Sequence, residues 1–218
     1  MKLYKLLLLI ILSMMLNPSF AKHNRTRKNP LNRENLIKIE IGAFKADDNY
    51  LRCNAYVTQD STFVRYICLK PNIFKPDIGK RRAMFVEYTD TLINNLEKIS
   101  LKYKEWTSIS KSNHTGKFSK YIEIPIPLLG YDEGVESEFT YLFTFPEEKE
   151  KCFYFNVWSD YEDPTIVLAI DDNNDPHIPC KCRLYFKNCE EFDSFVDFLK
   201  YENIQKRIRN TTINKLFK

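Results

Sequence analysis

The sequence predicts an α+β fold, antiparallel β-sheet(s) packed against two amphipathic helices, on three observations. Short segments with period-2 alternation recur along most of the chain, two long stretches carry an apolar stripe of helical period, and each of those two follows a run of strands. Alternating strands bury one face, and helices are the natural cover for it. A single α+β domain over residues 37–209 accommodates these elements. Two halves, 37–120 and 121–209, joined near Pro125 to Gly134, are the rival arrangement.

The first residues, MKLYKLLLLIILSMMLNPSFAK, stand apart from that fold. Lys2 and Lys5 precede an apolar stretch from Leu6 to Leu16, Asn17-Pro18 break it, and Ser19-Phe20-Ala21 puts small residues where a signal peptidase reads. The apolar run is shorter than the ~20 residues a membrane-spanning helix needs. Residues 1–21 therefore read as a signal peptide cleaved after Ala21, and the protein as secreted or periplasmic, with no stable membrane insertion after cleavage. Residues 22–36 are polar, basic and broken by Pro30, a flexible lead-in.

LIKIEIGAF opens the fold as a half-buried strand, with Ile37, Ile39 and Ile41 alternating against Lys38, Glu40 and Gly42. YLRCNAYVT and TFVRYICLK follow as a hairpin around the polar QDST, and AMFVEY is a fourth strand after an irregular stretch holding Pro71, Pro76 and Gly79. The first helix starts at Thr89 or Asp90. Leu92, Ile93, Leu96, Ile99, Tyr103, Trp106 and Ile109 form its apolar face, Tyr103 and Trp106 read as core, and Gly116 is the expected stop.

The second half repeats this grammar. KYIEIPIPLLGYDEG is extended and punctuated by prolines, and SEFTYLFTF, KCFYFNVW, TIVLAI and CKCRLYF alternate as strands. The closing helix begins at Asn188, with Glu191 three residues on as in a capping box, and buries Phe192, Phe195, Val196, Leu199, Ile204 and Ile208. At an offset of 100, Leu92 aligns with Phe192, Leu96 with Val196 and Ile99 with Leu199, a pseudo-repeat of strands followed by one helix. Residues 210–218 read as a basic tail.

Composition excludes more functions than it suggests. Removal of Lys2 and Lys5 with the leader leaves 31 basic against 29 acidic residues, a net charge of +2, so there is no general electrostatic case for nucleic acid. The basic runs at Lys22–Lys28 and near the C-terminus read as solvated surface. Only five glycines occur, at positions 42, 79, 116, 130 and 134, and no phosphate-cradling loop or nucleophile elbow can be built from them. The three histidines, His23, His114 and His177, have no metal-ligand spacing. DDNNDP opens like a calcium loop with Asp171, Asn173 and Asp175, but Pro176 stands where that loop needs glycine and Cys182 where it needs glutamate. No metal or cofactor is expected.

Six cysteines in an exported chain point to disulfides: Cys53, Cys68, Cys152, Cys180, Cys182 and Cys189. No Cys-x-x-Cys pair is present for zinc or thioredoxin-type chemistry. Cys53 and Cys68 lie in consecutive strands of the predicted hairpin, and Cys152 opens a strand whose end lies near the Cys180 strand. Cys189 would occupy the first helical position, where the helix dipole favours a thiolate. With His177 as base it offers a Cys-His hydrolase or transferase as the alternative function. The leading reading is a non-catalytic module that binds a protein, peptide or glycan, and no catalytic residue is assigned. Its candidate contacts are the aromatics at strand ends and turns, Trp158, Tyr161 and Tyr131. An inhibitor or immunity-like partner protein is a third possibility, on fold-level analogy.

LINNLEKISLKYKEWTSISKSNHTGKFSK resembles segments of small uncharacterised exported proteins of low-GC Gram-negative bacteria, and FKNCEEFDSFVDFLKYENIQKRI is similar in kind. The resemblance implies a bacterial exported domain and carries no activity with it. In a eukaryotic source, the sequons at Asn24, Asn113 and Asn210 would instead mark exposed loops for glycosylation.

Overall fold

The computed structural model describes residues 35–46, 49–60, 63–71, 83–132, 143–144, 151–158, 165–171 and 183–216. The proposed signal peptide, and Tyr161, His177, Cys180 and Cys182, lie outside these residues. Among the described residues, no helix is long and apolar enough to cross a membrane.

Among the described residues, ten strands form two antiparallel sheets. β1 (Ile37–Ala46), β2 (Asn49–Val57), β3 (Val64–Pro71) and β4 (Ala83–Glu87) run as a meander into helix α1 (Asp90–Ser112). β5 (Phe118–Pro125), β8 (Cys152–Trp158), β9 (Thr165–Asp171) and β10 (Arg183–Phe186) form the second sheet and lead into helix α2 (Cys189–Leu199). β6 (Leu128–Asp132) and β7 (Phe143–Thr144) lie between β5 and β8 in the chain but extend the first sheet beyond β4, making it six-stranded.

The predicted repeat is present in the strand register. In the first sheet Ala55, Ile67 and Val86 form one row across β2, β3 and β4. In the second, Phe155, Leu168 and Phe186 form the matching row across β8, β9 and β10. All six face the same apolar core. The helices continue the correspondence, since Leu92, Leu96 and Ile99 and their aligned partners Phe192, Val196 and Leu199 are all buried.

One apolar cluster takes in the inner faces of both sheets and residues of α1, α2 and the third helix, α3 (Tyr201–Leu216). Its centre is aromatic. Phe186 meets Phe192 at 5.0 Å and Phe195 at 5.1 Å, and Phe44 stands edge-on to Phe195 at 5.4 Å. Phe44 reaches this centre because β1 bulges between Glu40 and Gly42, which resets the alternation after Ile41. Gly42 takes φ +96°, and α3 lies against that bulge, with the Thr211 hydroxyl donating to the Glu40 carbonyl at 2.9 Å.

Three expectations need correcting here. The closing helix is two helices: Lys200 adopts φ −59°, ψ 146° and ends α2. The freed carbonyls find partners from elsewhere, Leu199 from the Tyr88 hydroxyl at 2.8 Å and Asp197 from the Asn203 amide at 2.7 Å. Residues 210–216 belong to α3, not to a tail. Gly116 does not stop α1; Asn113 caps it and His114 takes the left-handed conformation at φ 47°.

Candidate functional site

The second sheet has an aromatic outer face. Along β8, Phe153, Phe155 and Val157 are buried in the core, so Tyr154 and Trp158 project from the opposite side. Tyr185 lies outward between Leu184 and Phe186 on β10, and Tyr121 pairs with Tyr154 from β5. The four rings form two edge-on pairs, Trp158 on Tyr185 at 5.8 Å and Tyr121 on Tyr154 at 5.7 Å. Trp158 is 48% exposed and Tyr121 37%. Tyrosine and tryptophan present a flat apolar surface with a polar tip at little conformational cost, a composition suited to contact.

Of the aromatics singled out in the sequence, Trp158 is on this surface. Tyr131 is not: β6 crosses to the first sheet, where Tyr131 is 1% exposed and part of the core, so it offers no ring for contact. Tyr161 lies outside the described residues. Sequence reasoning missed Tyr121, Tyr154 and Tyr185. The signal was there in Phe153-Tyr154-Phe155 and Leu184-Tyr185-Phe186, where a tyrosine alternates with fully apolar neighbours.

The cysteines do not form the expected staples among the described residues. Cys53 and Cys68 are on neighbouring strands, but Cys53 is level with Leu69 and Cys68 with Asn54. One residue of offset sends the two side chains to opposite faces. Cys53 enters the main core, while Cys68 joins Ala83 and Phe85 in a small cluster on the other side. Burial pushes the Cys53 thiol up to about 12, and its Sγ donates to the Leu51 carbonyl at 3.4 Å. Cys152 is half-buried at the start of β8, and the two cysteines expected near it fall outside the described residues.

Cys189 occupies the first position of α2, as predicted. Asn188 caps the helix by accepting from the Glu191 N–H at 2.8 Å, and the Glu191 carboxylate accepts from the Lys187 N–H at 3.0 Å. The thiol is free, half-buried against α1, and donates to the Thr107 hydroxyl at 3.9 Å. Burial raises its pKa. The Thr107 contact and Lys104 oppose that shift, Glu190 and Asp193 add to it, and the net direction is upward. A helix N-terminus was expected to favour thiolate here, and local desolvation outweighs it. His177, the proposed base, lies outside the described residues.

Among the described residues, no group of three or more His, Cys, Asp or Glu side chains could hold a metal ion. No family model, curated protein or solved structure matches the chain.

Proposed function

We propose that the chain is an exported, non-catalytic interaction module, and that the aromatic outer face of the second sheet contacts a protein partner. The observation that carries this reading is the pair of edge-on contacts, Trp158 with Tyr185 and Tyr121 with Tyr154, on a sheet face turned away from the core. Tryptophan and tyrosine are enriched among the few residues that dominate binding energy at interfaces, and Trp158 and Tyr121 are the exposed rings here. The upward shift at Cys189 supports the same reading, because a nucleophilic thiol needs the opposite direction.

Binding of the purified chain to immobilised peptide and glycan arrays, compared with Trp158→Ala, tests it. Trp158 is half-exposed, so its replacement leaves the core intact. Peptide binding that weakens about tenfold or more in the variant supports the proposal. Binding confined to glycans, or peptide binding indifferent to the substitution, would overturn it.

A further inference from the structure

Where α1 ends and β5 begins, the core is closed by side chains that also face water. Phe118 and Lys120 stand directly opposite Val157 and Phe155 across the β5–β8 ladder, so they share the inner face of the sheet with those two core residues. Ser119 and Tyr121 alternate to the outer face. α1 runs beside this strand, with the Asn95 amide donating to the Pro125 carbonyl at 2.8 Å near one end and Trp106 beside Lys120 near the other. Trp106 and Phe118 both cover Phe155, at 5.7 and 5.8 Å. Phe118 remains 38% exposed, and Ile109, one turn after Trp106 on the same stripe of α1, is 49% exposed.

Lysines are set among these apolar groups. Lys102 and Lys120 hold their ammonium groups over the Trp106 ring at 5.8 and 4.9 Å, and exposed Lys117 precedes Phe118. Against these lysines stands Glu105, bonded to Lys102 at 2.7 Å. The corner also projects. From Lys111 to Lys120 every residue is exposed except half-buried Thr115, and among the described residues a Cβ at Gly116 would meet nothing within 4 Å.

We propose that this corner docks the chain on an anionic phospholipid surface, resting in the headgroup layer without crossing it. The site lies on the inner side of β5 and on α1, so it shares no residue with the outer aromatic face proposed for a protein partner. Tryptophan, phenylalanine and isoleucine beside lysine suit the boundary between headgroups and acyl chains: the apolar groups enter it, and the ammonium groups stay among the phosphates. Charge selects the lipid, since each lysine close to an anionic bilayer adds an attraction that salt screens. Shape favours a bilayer over a globular partner, because a projecting corner needs no complementary pocket in a fluid surface.

Co-sedimentation of the mature chain, Lys22 onward, with phosphatidylcholine vesicles, with and without an equal share of phosphatidylglycerol, tests the inference. Starting at Lys22 keeps the apolar leader from holding the vesicles itself. Binding is expected to the anionic vesicles, to weaken with added salt, and to slow amide hydrogen exchange across Asn113–Phe118. The double variant Lys117→Gln/Lys120→Gln should lose about tenfold or more in affinity. Ile109→Ser, at a half-exposed position, should lose several-fold, and both variants should keep the circular dichroism spectrum of the parent. Equal binding to both vesicles or to neither, binding without protection of Asn113–Phe118, indifference to Ile109→Ser, or a monomer–dimer equilibrium that the same variants abolish would each overturn it.

Discussion

Gly42 and His114 both sit at positive φ, and only one of them is a glycine. An L-residue pays a steric penalty in that region, so His114→Gly should stabilise the protein by about 0.5–1 kcal/mol in urea unfolding. Gly42→Ala should do the reverse, costing about 1–2 kcal/mol. A Cβ at Gly42 would lie 3.6 Å from Arg207, an ordinary contact, so that loss comes from the backbone and not from crowding. The thiols give a third test at this scale. With Cys53 pushed up to about 12 and Cys189 also raised, neither should react with iodoacetamide at neutral pH in the native state. Cys189, only half-buried, should begin to react as the pH passes above the ordinary thiol range; rapid labelling of it at pH 7 would contradict the burial argument.

The antiparallel pairing of α1 with α2 is held by a polar clamp at its exposed rim. Asp193 on α2 accepts from the Ser100 hydroxyl and pairs with Lys104 at 2.6 Å, both on α1. Burial alone would raise the Asp193 carboxyl, but Lys104 and Ser100 outweigh it and hold the pKa below the usual value. The sign follows from linkage: a carboxylate depressed in the folded state contributes stability above its unfolded pKa and loses it as the pH falls through the folded one. Asp193→Asn should therefore destabilise the chain at pH 7, and the difference in unfolding midpoint should vanish in acid below the carboxylate range. Two tyrosines fasten the same helix at its ends. Tyr103 donates to Phe186, just before α2, at 3.0 Å, and Tyr88 to Leu199, at its end. Tyr88→Phe should cost about 1 kcal/mol and fray the α2–α3 corner, visible as faster amide exchange around Lys200.

Across the whole molecule the core is shared by both sheets, so a large truncation should be felt everywhere. Phe155→Ala, at a fully buried position touched by Tyr103, Trp106 and Phe118, should cost about 3–5 kcal/mol. The fold class and most strands were legible in the sequence, because alternation and helical stripes report directly on which faces are buried. The repeat was legible from three aligned apolar positions in each helix. What could not be read depends on partners distant in sequence. The break at Lys200 has neither proline nor glycine to announce it and is stabilised by Tyr88 and Asn203. The separation of Cys53 from Cys68 depends on a register fixed by the hairpin. Tyr131 looked like a turn aromatic because nothing local says that β6 joins the other sheet. Trp158 was legible at the candidate site, whereas Tyr121, Tyr154 and Tyr185 were hidden inside strands that read as core. That crossing of β6 also bears on how the chain reaches this state. During synthesis β4 emerges with one side bare, and α1 with no helix to lie against; β6 follows some 45 residues after β4, and α2 roughly 100 after α1. The first sheet is therefore completed by residues of the second half, and a nascent chain that has emerged only as far as Ser112 would display an open strand and an apolar helix face to whatever receives it outside the ribosome.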